Sequence, residues 1–113
     1  MVEEYGFGYI VVDGMRFERD IVVTPVRVVS NWWRIEGHRL QLDDVKDYLD
    51  IDVEAVVIGT GYSGFMHVDS RVIEEFRKRG REVYVLKSSD AVKKYNELIR
   101  QGKKTLLLIH LTC

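Results

Sequence analysis

Cysteine and proline are almost missing from this chain, since each occurs once, as Cys113 and Pro25. A single cysteine excludes a disulfide within the chain and is typical of a reducing compartment, so we expect a cytoplasmic location. The chain opens with Met1-Val-Glu-Glu-Tyr, which lacks the basic and apolar segments of a signal peptide. Asparagine and glutamine are also scarce among many charged residues, a composition that favours a thermophilic source.

An excess of positive charge is absent as well. Lysine and arginine number 17, aspartate and glutamate number 18, and the formal net charge at pH 7 is −1. This balance argues against non-specific binding of nucleic acid. No apolar run approaches the ~20 residues of a membrane-spanning helix, and the run from Thr105 to Ile109 is typical of a buried strand. We therefore predict neither a nucleic-acid partner nor a membrane partner.

The bulk composition is that of one folded domain. Hydrophobic residues make up 46% of the chain and charged residues 31%, as in soluble globular proteins rather than disordered ones. A chain of 113 residues also has the usual length of a single domain. We therefore treat residues 1–113 as one domain.

The first third of the chain has the pattern of β-strands. Tyr9–Val12 and Met15–Phe17 flank the dipeptide Asp13-Gly14, which is typical of a tight hairpin turn. Ile21–Val23 and Val26–Val29 are two further short apolar runs, and both are predicted strands. These features predict an N-terminal β meander.

From Glu54 onward, predicted strands alternate with predicted helices. The strands cover residues 55–58, 82–86 and 104–111. Gly80 and Gly102 follow the two apolar stripes of the intervening helices, at the position where helices commonly end. A β-α-β-α-β order implies parallel strands joined by right-handed crossovers. The sequence thus predicts an α/β fold with a mostly parallel central sheet and an attached N-terminal meander.

The strand at Ala55–Ile58 runs into a glycine loop, Gly59–Gly64, with the spacing G-x-G-x-x-G. Glycine allows backbone N–H groups to approach an anion closely. In a dinucleotide-binding fold, however, the helix starts inside this turn and the next strand ends in an acidic residue. Here Phe65–Val68 separate the loop from its helix, and the next strand ends at Lys87. We interpret the loop first as a tight turn and second as a cradle for an anion or small ligand.

The ends of the predicted parallel strands mark where a site is expected, because ligands bind outside the carboxyl ends of such strands. The candidate ligand-binding residues there are Gly59, Thr60, Gly61, Tyr62, Gly64, Lys87, Ser88 and His110. Cys113 and His110 do not suit a nucleophilic pair, because residues three apart in a strand point to opposite faces. His38, His67 and His110 lack metal-ligand spacing, so we predict no metal site, and no motif indicates a cofactor.

Adjacent tryptophans, Trp32 and Trp33, predict a second candidate surface. In an extended chain one of two neighbouring side chains faces inward and the other outward. An outward tryptophan next to Arg34 is typical of a binding hot spot. Trp33, Arg34 and His38 are therefore our candidate interaction residues. Nearby, five aspartates between residues 43 and 52 surround a short predicted helix; they form a solvated acidic face or, as the alternative, a contact for a basic partner.

Several segments, in this order, resemble a known family. They are Tyr5–Gly8, Val12–Gly14, Asp20–Val23, Trp33–His38, Ile58–Gly61, Tyr95–Leu98 and His110–Cys113. Together they are similar to the Mth-type domain family of unknown function. That family includes the adipogenesis-associated Mth-domain-containing protein and a mitochondrial respiratory complex I assembly factor. The resemblance covers nearly the whole chain and implies a three-layer α/β fold with extra strands. It implies no catalytic residues, and its assembly factors act by protein contact.

The leading functional hypothesis is a non-catalytic domain that acts through a protein partner or a small ligand. It depends on the lack of an assembled catalytic constellation and on the resemblance. The expected contact edge is the glycine loop with Trp33, Arg34 and His38. The alternative is an enzyme, or an anion- or nucleotide-binding protein, in which Gly59–Gly61 bind an anionic group and Lys87 or His110 supplies charge or protons.

Overall fold

The computed structural model describes residues 1–113 as a mixed α/β fold with ten short strands and three α-helices. The strands are β1 (Val2–Gly6), β2 (Tyr9–Val12), β3 (Met15–Phe17), β4 (Ile21–Val23), β5 (Val28–Val29), β6 (Arg39–Leu40), β7 (Ala55–Thr60), β8 (His67–Val68), β9 (Glu82–Leu86) and β10 (Thr105–His110). The helices are α1 (Leu42–Val45), α2 (Ser70–Lys78) and α3 (Ser88–Arg100), and a 3-10 turn covers Lys46–Tyr48. No helix is both long and apolar enough to cross a membrane.

The central sheet has five strands in the order β5-β4-β10-β7-β9. β10 pairs with β7, and β7 with β9, in parallel, whereas β4 and β5 join as antiparallel strands. The sheet is therefore mixed, and the expected mostly parallel sheet is not confirmed. The reason lies in β4, where Ile21, Val22 and Val23 are all buried. A strand that is apolar on both faces needs a sheet that is covered on both sides, so β4 leaves the meander and pairs with β10.

The remaining N-terminal strands form a separate antiparallel sheet in the order β1-β2-β3. The predicted hairpin between β2 and β3 is confirmed, because Asp13 and Gly14 both have positive φ angles, of 48° and 81°. The predicted strand at Val26–Val29 is shorter than expected. Thr24 and Arg27 form a turn, in which the Thr24 N–H donates to the Arg27 carbonyl over 2.8 Å.

Two groups of buried apolar residues cover the two faces of the central sheet. β10 contributes Leu106 and Leu108 to one group and Leu107 and Ile109 to the other, as strand alternation requires. On the first face lie α2, through Val72 and Phe76, and the region around α1. On the second face lie α3, through Tyr95 and Leu98, and the meander, through Ile10 and Val12. β10 is thus the strand around which both cores are built.

A two-stranded parallel sheet joins the segment after β5 to the segment after the glycine loop. In it Arg39 of β6 pairs with His67 of β8, and Leu40 pairs with Val68. The His67 N–H also donates to the His38 carbonyl over 2.8 Å. This small sheet holds the tryptophan-containing segment next to the carboxyl edge of the central sheet.

Replacement of Leu108 by alanine tests the central position of β10. Leu108 is fully buried, so Leu108→Ala should lower the free energy of unfolding by about 2–5 kcal/mol, measured by urea denaturation. Val85→Ala on the edge strand β9 is the matched control, because Val85 is 38% exposed, and it should change the value by less than about 1 kcal/mol. Equal effects of the two substitutions would contradict the placement of Leu108.

Candidate functional site

Three ionisable side chains from distant segments meet at the carboxyl end of β10. The register that pairs Ile109 with Ile21 brings Asp20, just before β4, beside His110 at the end of β10. Arg34 comes from the segment between β5 and β6, and its Nη1 donates to Asp20 Oδ2 over 2.7 Å. His110 Nδ1 lies 2.8 Å from the same oxygen. The exposed fractions of these side chains are 16% for Asp20, 5% for Arg34 and 8% for His110. We name this group the Asp20 cluster.

Every charge in the Asp20 cluster has a compensating contact. The Leu111 N–H donates to the other carboxylate oxygen of Asp20 over 2.7 Å, and Arg34 Nη2 donates to the Gly37 carbonyl over 2.9 Å. Burial by itself would raise the pKa of Asp20, but the hydrogen bonds from His110, Leu111 and Arg34 outweigh it and hold that pKa below its usual value. The carboxylate is therefore ionised at neutral pH, and it binds three segments together.

Two nitrogen atoms of the Asp20 cluster have no hydrogen-bond partner, Arg34 Nε and His110 Nε2. The Arg34 guanidinium carbon lies 5.1 Å from the ring centre of Trp32, and the ring of His38 lies 6.1 Å from the ring of His110. A cleft of about 520 Å³ lies beside the cluster, but of the three members only Asp20 reaches its wall. The free nitrogen of His110 is thus enclosed by protein, which gives the cluster the character of a structural clamp.

The glycine loop binds the last residues of the chain. The Tyr62 N–H donates to the Thr112 carbonyl over 2.8 Å, and the Phe65 N–H donates to the Cys113 carbonyl over 3.0 Å. Three more N–H groups in and beside the loop donate to protein oxygen atoms, those of Gly61, Gly64 and Met66. Since these donors are already in use, few remain for an anion.

Gly61 is the position where the loop requires glycine. Its φ of +108° is rarely adopted by other residues, and a Cβ there would collide with the backbone of Cys113 and Thr112. Gly64 also has a positive φ and lies against the Lys87 side chain. The spacing that resembles a phosphate-binding motif therefore has a packing reason in this chain.

Several of the predicted ligand-binding residues form hydrogen bonds between their side chains and the backbone. Ser88 is fully buried at the start of α3, where its Oγ donates to the His110 carbonyl and accepts from the Gly61 N–H. Thr60 is buried too, and its Oγ1 donates to the Leu86 carbonyl. Gly59 lies in β7, packed against Ser88. By contrast, Lys87 is exposed and its ammonium group makes no hydrogen bond within the chain.

The predicted alternation of the tryptophan segment is confirmed. Trp32 and Arg34 are buried, whereas Trp33 is 77% exposed and Ile35 is exposed as well. His38 is exposed near the Asp20 cluster. Of the three candidate interaction residues, Trp33 and His38 therefore face solvent, and Arg34 supports them from inside.

Three more aromatic side chains are exposed near the end of β10, namely Phe7, Tyr62 and Phe65. The rings of Phe7 and Tyr62 contact each other edge to face, with centres 5.6 Å apart. We name these three residues the aromatic rim. Phe7 and Phe65 were not among the residues predicted from the sequence. Each adjoins glycine, and an aromatic residue in a glycine-rich turn has no strand or helix to bury it. Asp20 was not predicted either, because only the pairing of β4 with β10 brings it to His110.

Asp20→Asn should lower the free energy of unfolding at neutral pH by about 2–5 kcal/mol, because it leaves Arg34 buried without its counter-charge. The folded state lowers the pKa of Asp20, so its contribution is complete above the unfolded-state pKa. That contribution is lost as the pH falls through the folded-state value. Between about pH 6 and pH 3, the free energy of unfolding measured by urea denaturation should therefore fall less for Asp20→Asn than for the wild type.

The exposed Glu74 in the middle of α2 provides a control for this pH series, since Glu74→Gln should change the free energy of unfolding by less than about 0.5 kcal/mol. Parallel pH curves for the wild type and Asp20→Asn would contradict the lowered pKa of Asp20 in the folded state.

Gly61→Ala tests the structural role of the glycine loop. Gly80 has a similar positive φ of +82°, but a Cβ added at Gly80 would meet no atom within 4 Å. Gly80→Ala therefore measures backbone strain alone, about 1–2 kcal/mol. Gly61→Ala adds a collision with the backbone of Cys113 and should be more destabilising than Gly80→Ala in urea denaturation. Equal destabilisation would mean that the loop does not pack tightly on the end of the chain.

Comparisons with known proteins identify the family and support the fold. The model of a family described as a protein of unknown function, DUF498/DUF598, matches residues 2–110. A conserved hypothetical protein from Pyrococcus horikoshii OT3 has 27% identity and a TM-score of 0.82, over 100% of this chain and 99% of that one. The protein MT938 has 23% identity and a TM-score of 0.82, over 100% and 98% of the two chains.

A Mth938-like domain from Bordetella pertussis has 19% identity and a TM-score of 0.69, over 98% of this chain and 85% of that one. The resemblance to the Mth-type domain family is thereby confirmed. The chain belongs to the DUF498/DUF598 family, whose function is unknown.

Proposed function

We propose that this chain is a non-catalytic protein-binding domain whose contact surface combines the aromatic rim with Trp33. The observation that carries the proposal is that four aromatic side chains, each more than half exposed, surround the end of one strand. Exposed apolar patches of this kind mark interaction surfaces. Aromatic residues are also enriched in protein interfaces, where they supply much of the binding energy.

The backbone holds these aromatic residues in place. The Gly8 N–H, next to Phe7, donates to the Leu111 carbonyl over 3.0 Å. The N–H groups of Tyr62 and Phe65 donate to the carbonyls of Thr112 and Cys113. Trp33 lines the same cleft as Leu111 and Thr112. Residues 111–113 thus lie close to the backbone of the aromatic rim and to the cleft that Trp33 lines. A surface that is ordered before binding loses less conformational entropy when a partner docks.

The arrangement of polar groups favours a binding role over catalysis. His110 is enclosed in the Asp20 cluster, and no hydrogen bond joins it to the exposed Lys87. Most of the glycine-loop N–H groups donate to oxygen atoms within the chain. The alternative of an enzyme, or of a pocket for an anion, nucleotide or other small ligand, stays a prediction. For the partner-binding domain we propose an assembly-factor-like role in the cytoplasm.

Photo-crosslinking tests the proposed surface directly. Phe65 is replaced by p-benzoyl-L-phenylalanine, and the protein is irradiated in a lysate of its source cells. We expect one dominant crosslinked protein, with a yield that falls at least about fivefold when Phe7 and Tyr62 are both changed to serine. The same photoreactive residue at Met15 is the matched control, because Met15 is similarly exposed but lies at the other end of the meander. Absence of an adduct at Phe65, or the same adducts from both positions, would overturn the proposal.

A further inference from the structure

Trp33 and Ile35 form an exposed apolar wall above a second cleft. This cleft has a volume of about 310 Å³, and its opposite wall is α1 with the 3-10 turn that follows. Both side chains are more than half exposed. Trp33 therefore stands between two clefts, one beside the Asp20 cluster and one beside α1.

Asp44 holds the two walls of the second cleft in a fixed arrangement. Its carboxylate accepts from the Ile35 N–H over 3.0 Å and from the Gln41 N–H over 2.8 Å. Its carbonyl accepts from the indole N–H of Trp32 over 3.3 Å. The exposed apolar wall is thus anchored on both sides of Trp33, and the cleft exists before any partner arrives.

The charge on the opposite wall is mostly negative. Asp43, Asp44 and Asp47 line the cleft together with a single cation, Lys46. Neither Asp43 nor Asp47 takes part in an ion pair within the chain. Two carboxylates next to an apolar wall complement a segment that carries both positive charge and apolar side chains.

The face of the Trp33 ring is also free to receive a cation. Three other rings in the chain already have one, since Tyr9, Trp32 and Tyr84 each lie under an arginine or lysine side chain. Trp33 has no such neighbour, although tryptophan is the aromatic residue that attracts cations most strongly. Since no arginine or lysine of the chain stacks on this ring, its face is open to a cation from another molecule.

We infer that the cleft between Trp33 and α1 binds an arginine-bearing apolar segment of the protein partner. This inference rests on the proposed protein-binding function. An arginine of the segment stacks on Trp33 and pairs with Asp43 and Asp47, while its apolar neighbours cover Ile35. The guanidinium group suits both contacts, because it stacks on aromatic faces and forms paired hydrogen bonds with carboxylates.

A titration of the ¹⁵N-labelled full chain with two synthetic peptides tests this inference. The first peptide is Leu-Arg-Leu-Arg-Leu with both ends blocked, and in the second citrulline, the neutral analogue, replaces arginine. The arginine peptide should produce saturable shifts in the indole N–H of Trp33 and the amide of Asp47. It should bind at least about threefold more tightly than the citrulline peptide.

Variants locate the binding to this cleft. Trp33→Ala should weaken binding of the arginine peptide by at least about threefold, and it should leave the fold intact because Trp33 is exposed. The pair Asp43→Asn and Asp47→Asn should remove the preference for arginine over citrulline. The pair Glu74→Gln and Asp90→Asn is the matched control, since these residues lie on α2 and α3 and the change in net charge is the same.

Equal affinity for the two peptides, or no saturable shift at Trp33, would overturn the inference. In either case a crosslink from Phe65 that depends on Phe7 and Tyr62 would still support the protein-binding function, with a partner of different chemistry. Retention of the arginine preference in the Asp43 and Asp47 variant would also count against the cleft. The two proposals can therefore fail separately.

Discussion

The carboxylate of Asp20 joins three parts of the chain that are far apart in sequence. It binds Arg34, His110 and the backbone of Leu111, and so ties β4 and the tryptophan segment to the end of β10. A mostly buried charge is tolerated only when neighbouring groups compensate for it. Because removal of one partner leaves the others uncompensated, the positions of these segments depend on one another. The surrounding features follow from that dependence.

The Asp20 cluster also fixes the orientation of side chains on the surface above it. Arg34 points inward to Asp20 and Trp33 points outward, since neighbouring residues of an extended segment alternate. On the other side of β10, the glycine loop binds residues 112 and 113 through its N–H groups and so positions Tyr62 and Phe65. A buried polar framework thereby presents exposed aromatic side chains. The proposed protein-binding function rests on this division between a buried polar interior and an exposed aromatic rim.

The two clefts beside Trp33 differ in charge and in the elements that form their walls. The larger one opens over the Asp20 cluster, whereas the smaller one lies against α1 and has an excess of carboxylates. Asp44 uses its carboxylate to fix the loop that bears Trp33, so it has a structural task. Asp43 and Asp47 have no such task within the chain. Carboxylates without an ion pair in the chain, placed beside an exposed tryptophan, favour a positively charged partner.

Local elements of this protein could be predicted from the amino-acid sequence. Three features depend only on residues that are neighbours in the sequence. They are the hairpin at Asp13-Gly14, the alternation of strands and helices after Glu54, and the opposite orientations of the two tryptophans. The pairing of β4 with β10, and the meeting of Asp20 with His110, 90 positions later, came from tertiary packing alone. A short apolar run does not reveal which strand it will pair with, because burial on both faces depends on what covers the sheet. Likewise, the spacing of the glycine loop resembles that of an anion-binding motif, but only the tertiary structure shows that its N–H groups donate to the carbonyls of residues 112 and 113.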